Sequence, residues 1–222
     1  MNHDQYERHV WTVRLLGRTA AEQSVIDVGG EGLLPRFAPG LNVHTANVAG
    51  PFAQSAAGGR FDFPDKSFDY AVSIDTLEHI PKDGRKAHID ELIRLATKRV
   101  VFCAPIGTPR QIDFQHRLLD SGQLDPVSNQ FVKEHIALGM PMPSELDALV
   151  PGRIDWFYSG NLKVYVVPGK PPQSSVGANA MLVIGVLVNW FFNAAWTPIK
   201  VGRSPKETTN RFYGVIDLSQ RA

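Results

Sequence analysis

The run Val25-Ile26-Asp27-Val28-Gly29-Gly30-Glu31-Gly32 constrains this chain most. It reads as a short buried strand, an acid, a glycine-rich turn and the start of a helix. Glycines at a strand end allow positive φ in the turn and leave no side chain between the backbone and a small ligand. In an open parallel sheet, ligands sit at the carboxyl ends of the strands. The glycine spacing argues against a pyrophosphate: counted from Gly30, the third glycine position is Pro35, and counted from Gly29, the second is Glu31. No Gly-Lys-Ser/Thr phosphate loop occurs. Asp27 and Glu31 would repel phosphates and suit a cationic group such as an amine or a sulfonium.

The pattern around this turn predicts an α/β fold. Tyr6, Val10, Val13 and Leu16 recur at helical spacing, which predicts a helix over 4–22. A strand over 24–28, a short helix over 32–37, a strand over 41–48 and a loop over 49–60 follow. Next come a strand over 68–74, a helix over 81–97 and a strand over 99–104. Ile89, Leu92, Ile93 and Ala96 form the inner stripe of that helix, leaving Lys82, Arg85, Lys86, Glu91 and Arg94 mostly outside it. Strand–helix–strand alternation of this kind means a parallel sheet with right-handed crossovers. Residues 108–150 are polar and read as an inserted lid, with helices near 109–120, 128–138 and 144–149, the last capped by Ser144. Strands over 153–158, 162–167 and 211–218 complete a single domain spanning 1–222.

Composition narrows the class. With 43% hydrophobic and 20% charged residues, the chain is an ordinary globular one. A net charge of +1 supplies no field for nucleic acid. Cys103 is the one cysteine, so no internal disulfide forms, which fits a reducing, cytoplasmic setting. Asp4, Glu7, Arg8 and Arg14 interrupt any signal-peptide core. The stretch 176–196 carries no charge and is long enough to span a bilayer, for which about 20 residues suffice. Asn179, Asn189 and Asn193 favour a buried or homodimer-interface helix. Peripheral membrane contact is the alternative.

A second stretch names a family. Phe61-Asp62-Phe63-Pro64-Asp65-Lys66-Ser67-Phe68-Asp69 and, after a strand, Ser73-Ile74-Asp75-Thr76-Leu77-Glu78-His79-Ile80 resemble the signature of small class I S-adenosylmethionine-dependent methyltransferases of the type 11 kind. The Asp27-x-Gly29 turn lies at the matching distance upstream, and the resemblance covers roughly residues 20–107. It implies a Rossmann-like doubly wound sheet of about seven strands, mostly parallel with an antiparallel C-terminal strand. It also implies S-adenosylmethionine as cofactor. Asp27, Gly29, Gly30, Glu31 and Gly32 would cradle its methionine part, with Asn47, Phe61, Ser73, Ile74 and Asp75 around the remainder. The chain departs from the pattern where Glu31 replaces a glycine, where Asn47 replaces the acid after the second strand, and near Ala57, where another acid is usual.

Methyl transfer requires alignment of two reactants, and a base only where the acceptor loses a proton. His79 is the candidate base. His116 and His135 lie in the lid and are candidates for substrate contact. Glu134-His135, followed by Gly139-Met140-Pro141, resembles a segment of some bacterial family members and has no assigned task. No spacing of His, Cys, Asp and Glu suggests a metal site. The acceptor expected is a small molecule, a glycan or a lipid-linked compound. The alternative is a catalytically inactive methyltransferase-like binding or assembly protein.

Overall fold

The computed structural model describes residues 3–48, 56–57, 60–122, 124–150, 154–160, 162, 187, 191 and 201–219. Helix α1 (His3–Leu15) leads into strand β1 (Ser24–Val28). The helix stops seven residues short of the expected end, because Gly17 takes φ +87° and the Arg99 guanidinium donates to the carbonyls of Leu15 (3.3 Å) and Leu16 (3.0 Å). A single 3-10 turn, Leu34–Arg36, stands where a short helix is expected, with Pro35 inside it. Strand β2 (Asn42–Ala46) follows. Within the stretch expected to be a loop, β3 (Ala56–Ala57) and β4 (Arg60–Phe61) pair as a small antiparallel ladder.

Strand β5 (Phe68–Ile74), helix α2 (Arg85–Leu95) and strand β6 (Ala96–Pro105) form the central crossover. Helices α3 (Pro109–Asp120), α4 (Pro126–Leu138) and α5 (Pro143–Leu149) come next. Each begins on a proline, whose fixed φ suits the first helical turn and whose missing N–H would find no partner there. Thr108 and Asp125 cap α3 and α4 with side-chain oxygens. Ser144 lies inside α5 rather than at its cap. Strands β7 (Asp155–Ser159) and β8 (Arg211–Asp217) complete the main sheet.

The main sheet has six described strands in the order β2-β1-β5-β6-β8-β7. All neighbours pair in parallel except β8, which runs antiparallel to both β6 and β7. The expected strand over 162–167 lies outside the described residues, save Leu162 in a turn. The uncharged stretch 176–196 likewise lies outside them, save Leu187 and Phe191, both helical and exposed. Among the described residues no helix is long and apolar enough to cross a membrane.

Alternation along the strands builds a core on each face of the sheet. Ile26, Ala71, Val100 and Phe102 pack with Ile89, Leu92 and Leu95 of α2 and Leu146 of α5. Val25, Val72, Val101 and Tyr213 face the other way, with Leu16 and Trp11 covering them from the α1 side.

Two residues expected on the outer side of α2 are buried. Glu91 accepts from the Phe61 amide at 2.9 Å and pairs with Arg94, which donates to the carbonyls of Phe61 and Phe63. Arg85 is fully buried and donates to the carbonyls of Leu77, Ile80, Leu138 and Gly139 and to Glu145. These carbonyls belong to loops and helix ends that no ladder satisfies, so a planar fork of donors is drawn inward to them. Arg85 thereby ties the β5 exit, the end of α4 and the start of α5 together. Arg85→Met should leave those acceptors buried and unpaired and lower unfolding stability by about 3–5 kcal/mol, read from urea denaturation monitored by circular dichroism.

Candidate active site

The strand order reverses between β1 and β5, since β1 lies beside β2 on one side and β5 on the other. A cavity of about 750 Å3 opens at the carboxyl ends of these two strands, where an open α/β sheet places its ligands. Ten of the candidate residues singled out by sequence line it: Asp27, Gly29, Gly30, Glu31, Asn47, Phe61, Ile74, Asp75, His79 and His135.

The turn after β1 is shaped by close approach. Gly29 has φ +83°, and a Cβ there would strike the Thr76 side chain. A Cβ at Gly30 would strike the Asp27 carboxylate, which folds back against the turn. Asp27 is 1% exposed, and its Oδ1 has no hydrogen-bond partner. Burial, with a smaller contribution from Glu31, pushes its pKa up to about 7. Asn47 donates to the carbonyls of Gly29 (3.2 Å) and Gly30 (3.3 Å), while its Oδ1 accepts from the Val48 amide. Its amide therefore braces the turn.

Gly32 and Ser73 do not line the cavity. Ser73 shares the face of Ala71, two residues before it on β5, and its hydroxyl is hydrogen-bonded at 2.9 Å to His88 on α2. Asp75 reaches the cavity, but its carboxylate is paired with Arg8 (2.5 Å) and with Arg211. Asp4 completes this group, with Arg8 at 3.0 Å and Arg211 at 3.1 Å. The network joins α1, the end of β5 and the start of β8.

Sequence reasoning missed the contribution of α1. Arg8 and His9 enter the cavity from a helix whose periodicity marks only an ordinary amphipathic face. His9 stacks on Phe37 with centroids 4.9 Å apart, and burial lowers its pKa to about 4. Glu78, within the motif after β5, is 1% exposed, with one oxygen unpartnered and its pKa raised by burial to about 8.

Helix α4 lines the cavity with Phe131, Glu134 and His135. His79 Nδ1 donates to Glu134 at 3.0 Å, and its ring packs on Phe131 and His135. His79 Nε2 lies 3.2 Å from His135 Nε2, and His135 Nδ1 donates to Gln115 at 3.4 Å. Burial first, then the nearby His79, lowers the His135 pKa to about 4. His116 is exposed and absent from the lining. The sequence makes the Glu134-His135 pair visible but gives no sign that it meets His79, 55–56 residues earlier.

Comparison with solved structures identifies the fold. Phosphoethanolamine N-methyltransferase 2 of Haemonchus contortus, in complex with phosphomonomethylethanolamine and S-adenosylhomocysteine, is similar over 94% of this chain at 13% identity and a TM-score of 0.51. The chain spans about half of that enzyme's length, 52%. The plantazolicin methyltransferase BpumL, in complex with a triazolic desmethylPZN analog and SAH, gives a TM-score of 0.53 at 13% identity, covering 97% of this chain and 84% of that one. Geranyl diphosphate C-methyltransferase from Streptomyces coelicolor A3(2) gives 0.52 at 10% identity, covering 96% and 80%. No family model and no curated protein matches the sequence. The fold is thus the Rossmann-like one shared by these S-adenosylmethionine-dependent methyltransferases.

The buried acids give stability a pH signature. Asp27 and Glu78 have folded-state pKa values above their unfolded ones, so the stability they leave intact at low pH is lost as pH rises towards about 7 and 8. His9, His88 and His135, each lowered to about 4, act oppositely, but only below about pH 6.5. Between pH 6.5 and 8, the melting temperature of the ligand-free protein should therefore fall, and Glu78→Gln should flatten that fall in differential scanning fluorimetry.

Proposed function

We propose that this chain binds S-adenosylmethionine at the ends of β1 and β5 and transfers its methyl group to a small-molecule acceptor held beneath α4. One observation carries the reading: the sealed, unpartnered Asp27 oxygen beside a glycine cradle. In its ionised form a buried carboxylate of this kind needs a cation, without which it takes up a proton. The amino group of a methionine-like moiety is small enough to approach through Gly29 and Gly30, and Glu31 adds a further negative charge at the mouth. Phe61 and Ile74 offer apolar surface for the rest of such a ligand, and Phe61 is fixed in place by Glu91 and Arg94.

When bound, the cofactor would supply an electrophilic methyl group on a sulfonium, and an in-line displacement needs little covalent help from the protein. This chain's residues would hold the reactants in line, and α4 contributes Phe131, Glu134 and His135 to the cavity wall. His79, oriented by Glu134, stands at the acceptor end. The second reading, a methyltransferase-like binding protein without turnover, draws on Asn47: its amide is engaged with the turn rather than offered to a ligand.

Isothermal titration with S-adenosylhomocysteine tests the proposal. Saturable binding is expected, with Asp27→Asn weakening it about 10–100-fold, the worth of one hydrogen bond to a charged group. Because the carboxylate must be ionised to hold an amine, affinity should decline as pH falls below about 7. Absence of binding at millimolar ligand would refute the proposal. Binding without methyl transfer to any of a panel of acceptors would favour the second reading.

A further inference from the structure

Three other side chains that line the cavity converge on one another. Glu78 and His79 lie in the turn that follows β5, and His135 lies on α4. One ligand atom from each can be chosen so that all lie within 4.8 Å of one another. Both histidines are pre-oriented. His79 Nδ1 donates to the Glu134 carboxylate and His135 Nδ1 to the Gln115 carbonyl oxygen, so each ring turns its Nε2 lone pair inward. The two Nε2 atoms are 3.2 Å apart. Two nitrogens bound to one tetrahedral ion at ordinary zinc–nitrogen lengths are separated by about 3.3 Å. Facing lone pairs repel unless a positive centre lies between or beside them. The nearby Glu78 carboxyl is 1% exposed with an unpartnered oxygen, so once ionised it too is stabilised by a cation. A proton shared by the two rings would leave that carboxylate oxygen unpaired, whereas a metal ion serves all three groups.

We propose that Glu78, His79 and His135 bind a divalent first-row transition ion of the zinc class, with Glu134 and Gln115 orienting the imidazoles. Two imidazoles and one carboxylate favour such an ion over magnesium or calcium, which prefer oxygen ligands throughout. Hydrogen bonds from the remote ring nitrogens to a carboxylate and an amide are the arrangement that metal-binding histidines require. Three protein ligands leave a coordination position free, and the site lies in the cavity wall. That position suits an oxygen of a small ligand. Resting on the methyl-transfer reading, that oxygen belongs to the acceptor. The ion site itself needs no cofactor and is tested without one.

Co2+ is added to metal-free protein, and visible ligand-field absorption is recorded. Zn2+ titration then displaces the band. The site predicts a saturable band in the wild type. It predicts loss of the band in His135→Gln and His79→Gln, and about 10–100-fold weaker binding in Glu134→Gln. His116→Gln, which alters an exposed histidine outside the cavity, should leave the band unchanged. Melting curves of the metal-free variants confirm that they are folded, and the wild-type titration decides the matter if one of them is not. No band in the wild type at millimolar Co2+, or a band that survives in folded His79→Gln and His135→Gln, overturns the proposal. S-adenosylhomocysteine binding is measured separately, so either idea can fail without the other.

Discussion

A carboxylate held away from water at the end of β1 is the constraint around which this structure is arranged. Asp27 sits on β1, where the strand order reverses, 1% exposed, with an oxygen that no protein donor reaches. Keeping it there requires Gly30, since any larger residue would collide with the carboxylate. It also requires Gly29 in the left-handed region beneath Thr76, and Asn47 to hold both carbonyls of the turn. Burying an uncompensated acid is costly. The raised pKa shows that cost, and a cationic ligand would remove it. The strand-order reversal between β1 and β5 supplies the space for such a ligand.

The rest of the molecule holds the walls of that space in place. Arg85, fully buried, ties the turn after β5 to the ends of α4 and α5. Arg8 and Arg211 clamp Asp75 so that α1 closes over the strand ends. Glu91 and Arg94 fix Phe61 from the far side of α2. In each case a charged residue is drawn inward by backbone carbonyls or an acid that no regular ladder satisfies. The cavity thus has polar groups pinned at its edges and unpinned ones, Asp27 and Glu78, facing its interior.

Much of the fold is legible in the sequence, because local patterns determine it. The apolar run at Val25–Val28, the strand at Phe68–Ile74 and the stripe through Ile89 and Leu92 each show their element directly, and the glycine turn locates the cavity. What the sequence hides is long-range and polar. Periodicity sets Arg85 and Glu91 on the outer face of a helix, but unsatisfied carbonyls bring them in. Period-2 alternation turns Ser73 towards His88 and away from the cavity, a consequence visible only once its strand neighbours are placed. Arg8 and His9 join the site through the packing of α1, and no motif marks them. The meeting of His79 with His135 depends on how α4 folds over the turn after β5, which spacing along the chain does not encode.

In the proposed function, Asp27 and the glycine turn receive the cationic amino-acid end of S-adenosylmethionine. A crystal structure grown with S-adenosylhomocysteine tests it most directly. The ligand is expected at the ends of β1 and β5, its amino group within hydrogen-bonding distance of the Asp27 carboxylate and its path crossing Gly29 and Gly30. A ligand bound elsewhere, or with its amino group turned away from Asp27, would contradict it.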